Sequence, residues 1–237
     1  MSNELLFVAM TGFGLGGTLL AFALGGKDWI KAIIGVNIIL ANIFVTKQMN
    51  LFGIAATGGN ILYGSIFLAT DLLCEHYDKK EARDGVMMGF FFALFFLVVS
   101  QLILVFIPNK WDTVQESMKH IFGFVPRIIF ASLVAYLVSQ LHDVWMYHKI
   151  KIFKPAKKWL WLRNNGSTWL SQLIDSVVFS LLAFWGTMPF SVVLQIIFTT
   201  YVLKIIVAAC DTPFIYLSYV IKGRRKPLLF TATSPEK

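Results

Sequence analysis

The chain has 237 residues, of which 57% are hydrophobic and only 14% are charged. A soluble domain of this size carries about a quarter charged residues, because its surface must face water. The composition therefore excludes a water-soluble fold. The net charge of +8 does not indicate a nucleic-acid partner, because the basic residues lie in clusters between apolar runs.

Apolar runs of about twenty residues recur along the chain, as expected of helices that cross a hydrocarbon core about 30 Å thick. Each run must form a helix, because lipid offers no hydrogen-bond partner to a free backbone amide. We therefore predict an all-α integral membrane protein with about seven transmembrane helices. The predicted spans are 5–25, 29–48, 58–75, 86–107, 125–147, 168–187 and 192–220.

Two of these spans contain residues that disturb a regular helix. Residues 53–60 are small and rich in glycine, which is typical of a broken or re-entrant helix start beside a substrate cavity. In the seventh span we expect a kink near Pro213, because proline removes a backbone donor. Cys74 and Cys210 lie inside apolar runs and are predicted to be buried free thiols.

The basic residues predict the orientation. With the N-terminus outside, sixteen of the 21 lysines and arginines lie in segments that face the cytoplasm, and three, Lys47, Lys110 and Lys119, lie outside. This asymmetry follows the positive-inside rule, and an even number of helices would destroy it. We therefore predict seven spans with the N-terminus outside and the C-terminus inside.

The sequence contains no signature of an enzyme or an ATPase. It lacks GxxxxGK followed by Ser or Thr, and it lacks HExxH and GxSxG. Its formal match to GxGxxG, at residues 12–17, lies inside an apolar run and not after a strand. The four histidines are scattered near helix ends. We therefore predict no metal, no cofactor and no enzymatic activity.

Polar residues inside the predicted spans are the strongest functional signal, since a charge at bilayer depth usually faces a cavity or a partner. Side chains that recur every three or four positions share one helical face. The stripes defined in this way are Asn60, Gly64, Phe67 and Asp71; Ser132, Tyr136, Gln140 and Asp143; Thr168, Gln172, Asp175 and Phe179; and Lys204 with Asp211, which are two turns apart. Stripes on separate helices predict a polar cavity inside the bundle, and hence a carrier for a small molecule.

Structural roles are the alternative for several of these residues. Glu75 and Asp143 lie near the inner ends of their spans and could simply reach toward the basic loops. Arg127 lies near the outer edge, where a charge can serve to position its helix. Lys204 and Asp211 could form an ion pair with each other. Glu75, Arg127, Lys204 and Asp211 are therefore candidates for charge or proton coupling as well as for structural roles.

Several of these residues belong to longer spaced motifs. In chain order the motifs are Ser65 to Asp71 with Glu75-His76-Tyr77, Lys80 and Arg83; Arg127 with Ser132, Tyr136, Gln140 and Asp143; Ser167-Thr168 with Gln172 and Asp175-Ser176; Ala183-Phe184-Trp185; and Tyr201 with Lys204 and Pro213. Together they resemble the queuosine precursor transporter family, also called the vitamin uptake transporter group. The resemblance implies a six-helix core over residues 27–221, an additional N-terminal helix in residues 1–26, and a basic cytoplasmic tail over 222–237.

The resemblance also implies a function, which is import of queuosine precursors across the bacterial cytoplasmic (inner) membrane. These precursors are 7-deazaguanine bases such as 7-cyano-7-deazaguanine, 7-aminomethyl-7-deazaguanine or queuine. Such a base presents two adjacent N–H donors beside a carbonyl oxygen. We hypothesise that Asp175 accepts both donors, since a carboxylate forms stronger hydrogen bonds than a neutral group. Gln172 or Gln140 would then donate to the carbonyl.

Other residues complete the substrate-binding set that the resemblance implies. Phe67, Phe179 or Trp185 would stack on the flat base, and Asp143 or Asp71 would meet a cationic aminomethyl arm or carry a proton. Asn60 and Tyr136 belong to the same polar stripes. The expected partners are the small-molecule substrate and the lipid bilayer.

The sequence leaves several alternatives open. The chain could be the substrate-binding membrane subunit of an ATPase-driven vitamin-type importer, a carrier for another small heterocycle, or a membrane protein without a ligand. Proton coupling and facilitated diffusion are both compatible with the intramembrane acids. A homo-oligomer is equally compatible with the sequence.

Overall fold

The computed structural model describes residues 2–123 and 126–224, so the predicted basic tail from residue 225 onward lies outside the described residues. The protein is 83% helical. Its elements in chain order are α1 (Asn3–Gly25), α2 (Lys27–Phe44), β1 (Gln48–Leu51), β2 (Ile54–Thr57), α3 (Gly59–His76), α4 (Lys79–Val105), α5 (Gln115–Phe122), α6 (Pro126–Phe153), α7 (Leu160–Phe184), α8 (Phe190–Ala209) and α9 (Thr212–Arg224).

Five helical segments are long and apolar enough to cross a membrane: α1, α4, α6, α7 with the turn before it, and α8 joined to α9. Large apolar side chains such as Phe13, Phe91 and Phe198, which are 84%, 60% and 67% exposed, cover the outside of the bundle. This surface suits lipid and not water. The fold is therefore that of an all-α multi-pass membrane protein.

Helix α3 lies at the centre of the bundle. Sixteen of its 18 residues are buried, and α1, α2, α4, α6, α7, α8 and α9 all pack against it. Glycines allow the closest approaches, because Gly64 faces the Val207 side chain and Gly59 faces the Ala41 carbonyl. Because other helices enclose α3, its Asp71 side chain makes no contact with lipid.

Side-chain contacts give the directions of the helices around α3. Thr70 contacts Gln140, and Glu75 contacts Tyr147, which lies further along the chain on both helices, so α3 and α6 run parallel. α7 runs in the opposite direction, because Arg163 in its first turns also contacts Glu75. α8 and α9 together follow the direction of α3.

The segment between α2 and α3 differs from its prediction. Residues 48–57 form an antiparallel hairpin, with Gln48 opposite Thr57, and not a broken or re-entrant helix start. Phe52 and Gly53 make its turn with φ values of 52° and 75°, the left-handed geometry that matches the twist of two paired strands. α2 consequently ends at Phe44, four residues before its predicted end.

Two further boundaries differ from prediction. α7 begins at Leu160 and not at residue 168, because the polar residues of its first two turns find partners inside the protein. The predicted kink near Pro213 is a break between α8 and α9 at Cys210 and Asp211. Cys74 is buried as predicted, but Cys210 is exposed at this break, and neither cysteine forms a disulfide.

Replacing Gly59 with alanine is expected to destabilise the contact between α2 and α3. A methyl group there would lie 2.7 Å from the Ala41 carbonyl oxygen and 3.3 Å from Val45 Cβ, and such overpacking costs about 1–3 kcal/mol. The midpoint of thermal unfolding in detergent should therefore fall. Gly17→Ala in α1 is the matched control, because no heavy atom lies within 4 Å of its new methyl group. Equal midpoints for the two variants would contradict the prediction.

Candidate functional site

Buried polar side chains from α3, α6, α7, α8 and α9 meet at three levels along the bundle. We call them the Lys204 site (Tyr63, Ser139, Asp175 and Lys204), the carboxyl triad (Asp71, Asp143 and Asp211) and the Glu75 network (Glu75, Tyr147, Arg163 and Tyr219). On α3 the triad and the network are one turn apart, because Glu75 follows Asp71 by four residues.

At the Lys204 site an ion pair joins α7 to α8. Lys204 Nζ donates to Asp175 Oδ2, and the two side chains are only 6% and 4% exposed. Ser139 of α6 donates to Asp175 Oδ1 at 3.2 Å. Lys204 Nζ also lies 4.8 Å from the ring centroid of Tyr63 on α3, within the range of a cation–π interaction. One buried carboxylate therefore connects four helices.

Polar groups close to this ion pair have unused hydrogen-bonding capacity. Gln140 Oε1 accepts a bond from Thr70 Oγ1 at 3.3 Å, but its Nε2 has no partner. Gln172 Oε1 and the hydroxyls of Ser176 and Ser180 also have none, although all four side chains are at most 1% exposed. A buried polar group left without a partner costs about 1–3 kcal/mol. These donors and acceptors are therefore available to a polar ligand that enters the bundle.

The carboxyl triad lies on the side of Gln140 that faces the Glu75 network. All three carboxyls are 0% exposed, and those of Asp71 and Asp143 contact each other. Asn164 Nδ2 donates to Asp211 Oδ1 at 2.5 Å, and Thr168 Oγ1 donates to Asp71 Oδ2 at 3.5 Å. Among the described residues, none forms a hydrogen bond of regular geometry with the other four carboxyl oxygens, although the hydroxyls of Ser167, Thr168 and Ser171 lie close to Asp143.

The three levels together form a polar column inside the bundle. The Glu75 network lies at the end of this column opposite the Lys204 site. Arg163 forms a bidentate contact with Glu75, at 2.9 Å from Nε and 2.5 Å from Nη2, and the two side chains are 1% and 2% exposed. Tyr147 donates to Glu75 Oε2 at 2.7 Å, and Tyr219 donates to Oε1. Lys151 Nζ caps the end of α3 by donating to the Glu75 carbonyl at 2.8 Å. α3, α6, α7 and α9 are thereby joined at one acidic residue.

Several predicted site residues lie apart from these three levels. Trp185 is 61% exposed at the end of α7, where its ring packs on Phe190. Phe179 is half-buried and packs on Phe184. Asn60 is half-buried in the first turn of α3. Among the described residues, the aromatic candidates that lie near these levels are Phe67 on α3 and Tyr136 on α6.

Those two aromatic candidates are buried beside the Lys204 site. Phe67 is 0% exposed, and its ring centroid lies 6.5 Å from that of Tyr63. Tyr136 is 1% exposed and donates to the Val86 carbonyl at 3.2 Å. Tyr136 therefore also fastens α6 to α4.

The structure also decides the alternatives for three charged residues. The predicted ion pair between Lys204 and Asp211 is wrong, because Lys204 pairs with Asp175 and Asp211 with Asn164. The reason is the break after α8, which turns Asp211 toward α7. Arg127 donates to the carbonyls of Leu182 and Trp185 at 2.6 and 2.5 Å, and thus holds the C-terminal end of α7.

Sequence reasoning missed residues that lie one turn beyond each predicted stripe. Asn164 precedes Thr168 by four residues and Tyr147 follows Asp143 by four, so extending each stripe by one turn would have found both. Arg163 was assigned to the inner basic loop because the helix was predicted to begin later. Tyr63 gave no signal, because an aromatic ring in an apolar helix is ordinary.

Two cavities in the described part of the chain lie away from the polar column. One, of about 260 Å³, lies between the end of α4 and α5, and the other, of about 330 Å³, lies beside Trp185 and Phe190. In the part of the chain that the structure describes, no group of three or more His, Cys, Asp or Glu side chains could hold a metal ion. The polar column is thus closed to the surface in this conformation.

An apolar exterior around a closed column of polar and charged side chains defines a membrane transporter. A family model described as "Putative vitamin uptake transporter" matches residues 57–218, and the chain belongs to this family. The family comprises transporters and not enzymes. The matched range begins at the end of β2, so α1 and α2 lie outside it. No solved structure matches the chain.

Three curated bacterial proteins are similar to the chain. The "Probable queuosine precursor transporter" of Bacillus subtilis is 42% identical over 191 residues, which cover 81% of this chain and 83% of that protein. A protein of the same description from Haemophilus influenzae is 33% identical over 57% of this chain and 55% of its own length. The "Queuosine precursor transporter" of Escherichia coli is 28% identical over 66% and 68%. The resemblance found in the sequence is confirmed, and the chain is a multi-pass protein of the bacterial inner membrane.

Removing Arg163 is expected to destabilise the protein strongly. Arg163→Gln leaves Glu75 as a buried charge without its main partner, and breaking such a pair costs about 3–5 kcal/mol. The double variant Glu75→Gln with Arg163→Gln should lose less stability than Arg163→Gln alone, because it leaves no unpaired charge. Unfolding in detergent measures both losses.

The control for this experiment is Glu116→Gln, which removes the exposed pair between Glu116 and Lys119 on α5. Exposed pairs contribute about 0–1 kcal/mol, so little change is expected. If Arg163→Gln unfolded at the same midpoint as this control, the Glu75 network would not stabilise the bundle.

Proposed function

We propose that this protein imports 7-deazaguanine precursors of queuosine across the bacterial cytoplasmic membrane, as a secondary carrier or facilitator. The descriptions of the three curated relatives support the substrate class. The observation that carries the proposal is the buried carboxylate of Asp175 beside amides with unused capacity. A guanine-like base needs these groups, because it offers adjacent N–H donors and one carbonyl acceptor.

In the proposed binding mode, the base takes the place of Lys204 at Asp175. Asp175 Oδ1 and Oδ2 already accept hydrogen bonds from Ser139 and Lys204, so both of its oxygens have partners when no substrate is bound. The ring N–H and the exocyclic amine of the base would replace these two donors. Lys204 would then be free to donate to the carbonyl oxygen of the base, together with Gln140 Nε2.

Tyr63 and Phe67 are the proposed stacking residues. Both lie on α3, and the Tyr63 ring already lies next to the Lys204 ammonium. Stacking of a base on an aromatic ring contributes roughly 1–3 kcal/mol. Trp185, which is exposed at the end of α7, is not part of this proposed site.

We further propose that the chain crosses the membrane seven times, with the N-terminus outside and the C-terminus inside. Besides the five apolar segments, this requires α2 and α3 to cross, although they are only 18 residues long and carry charged residues. The proposal is supported by the contacts of α3, which extend from Tyr63 near Lys204 to Glu75 near Tyr147. The contacts of α3 with α8 and α6 therefore extend over at least three of its turns.

Asp175→Asn is expected to weaken uptake of labelled 7-cyano-7-deazaguanine. The substitution removes the charge that would strengthen two hydrogen bonds to the base, and bonds to a charged group contribute about 1.5–3 kcal/mol each. We expect the concentration for half-maximal uptake to rise at least tenfold in cells that cannot synthesise the precursor. Asp28→Asn, at an exposed position in the first turn of α2, is the control.

Uptake by Asp175→Asn with unchanged affinity would exclude Asp175 from the substrate site. Failure of the wild type to restore queuosine in tRNA with any 7-deazaguanine would exclude the proposed substrate class. Uptake by the purified protein alone in liposomes is also expected, and its absence would favour a subunit that requires an ATPase.

The proposed topology predicts which single cysteines an impermeant maleimide can reach in intact cells. In a variant without Cys74 and Cys210, a cysteine introduced by Lys110→Cys should react from outside, whereas Lys80→Cys should react only after permeabilisation. The reverse pattern, or reaction at both positions, would contradict the proposed orientation.

A further inference from the structure

The carboxyl triad has no cationic partner among the described residues. Asp71, Asp143 and Asp211 are fully buried, and within residues 2–123 and 126–224 no lysine or arginine forms an ion pair with any of them. The buried cations lie at the neighbouring levels, where Lys204 pairs with Asp175 and Arg163 pairs with Glu75.

Other titratable groups near the triad do not supply a positive charge either. Those that interact with it are Cys74 and Glu75 from α3, Tyr147 from α6 and Cys210 beside Asp211. Each of these is neutral or negative in its ordinary states. The carboxyls of Asp71 and Asp143 contact each other, and Asp211 lies near enough to interact with both. Since three such like charges cannot all remain ionised in a medium of low dielectric constant, the triad must bind protons.

Asn164 provides an independent sign that the triad holds a ligand. It is 0% exposed on α7, and its amide nitrogen donates to Asp211 Oδ1 at 2.5 Å. Its Oδ1 has no hydrogen-bond partner in the protein. A carboxylic O–H is a donor that could satisfy this oxygen as well as the unpaired oxygens of Asp71 and Asp143.

The triad is also mechanically joined to the Lys204 site. On α6, Gln140 beside the Lys204 site is three residues from Asp143 of the triad. On α7, Gln172 beside the Lys204 site is four residues from Thr168, which contacts Asp71. α8 carries Lys204 and leads into Asp211. A movement of these helices that opened the Lys204 site would therefore change the surroundings of the triad. The break between α8 and α9 lies at the triad itself.

We infer that the carboxyl triad binds the proton that is transported together with the substrate, so that the protein is a proton-coupled symporter. This inference rests on the proposed function and specifies its driving force. A proton binds to a carboxylate oxygen of Asp71 or Asp143 from the outer side and leaves to the cytoplasmic side after substrate release. No other bond forms or breaks. The base itself binds at Asp175, and the triad responds to it through the shared helices.

The test uses purified protein in liposomes with labelled 7-cyano-7-deazaguanine. Counterflow, in which labelled base exchanges with unlabelled base inside, needs no gradient and tests the proposed function alone. An inward proton gradient should drive accumulation of the base several-fold above its external concentration. The interior should acidify at the same time, as read from a trapped pH-sensitive dye.

Asp143→Asn tests the proton site through a ratio of two measurements. In this variant the ratio of accumulation driven by the proton gradient to counterflow should fall at least tenfold below that of the wild type, because an amide cannot bind and release the proton. Asp28→Asn should behave as the wild type in both measurements. If Asp143→Asn shows no counterflow, the dye signal of the wild type decides the question by itself.

Three results would overturn the inference while leaving the proposed function intact. The first is wild-type counterflow without any response to a proton gradient. The second is accumulation driven by a sodium gradient in place of the proton gradient. The third is full gradient-driven accumulation by Asp143→Asn. Absence of counterflow in the wild type would instead contradict the proposed function.

Discussion

A charged side chain inside a membrane protein must be enclosed by the protein, because lipid offers it no hydrogen-bond partner. In this chain that requirement falls mainly on α3, which carries Asp71 and Glu75 and has 16 of its 18 residues buried. Seven other helices pack around it. Enclosure of α3 is thus the condition on which the Lys204 site, the carboxyl triad and the Glu75 network all depend, since each includes a residue of α3 or packs directly against one.

The three levels use charge in different ways. At the Glu75 network a bidentate Arg163 and two tyrosines satisfy the carboxylate completely, which suits a fixed junction between helices. At the Lys204 site the carboxylate is paired, but the amides near it are only partly bonded, which suits exchange of one partner for another. At the triad four carboxyl oxygens have no hydrogen bond of regular geometry from the part of the chain that the structure describes. The network that suits a fixed junction and the site that suits exchange are therefore about three helical turns apart on α3, from Glu75 to Tyr63.

The polar stripes of the sequence predicted much of this column. Gln140, Gln172 and Asp175 are buried and face the interior, as their spacing of three or four residues indicates. The same reasoning failed at the start of α7, where Arg163 and Asn164 were assigned to a loop because isolated polar residues are costly in lipid. It also failed at residues 48–57, where a hairpin turn with a non-glycine residue at positive φ gives no strong sequence signal.

The sequence by itself determined the class of protein, the main apolar helices and the helix faces that carry polar residues. These properties depend on composition and on the helical repeat, which are local. Only the tertiary structure decided that Lys204 pairs with Asp175 and not with Asp211, that Arg163 belongs to Glu75, and that Asp71 meets Asp143. Such pairings depend on which helices are neighbours and in which register they pack, and that information lies in contacts between residues far apart in the chain.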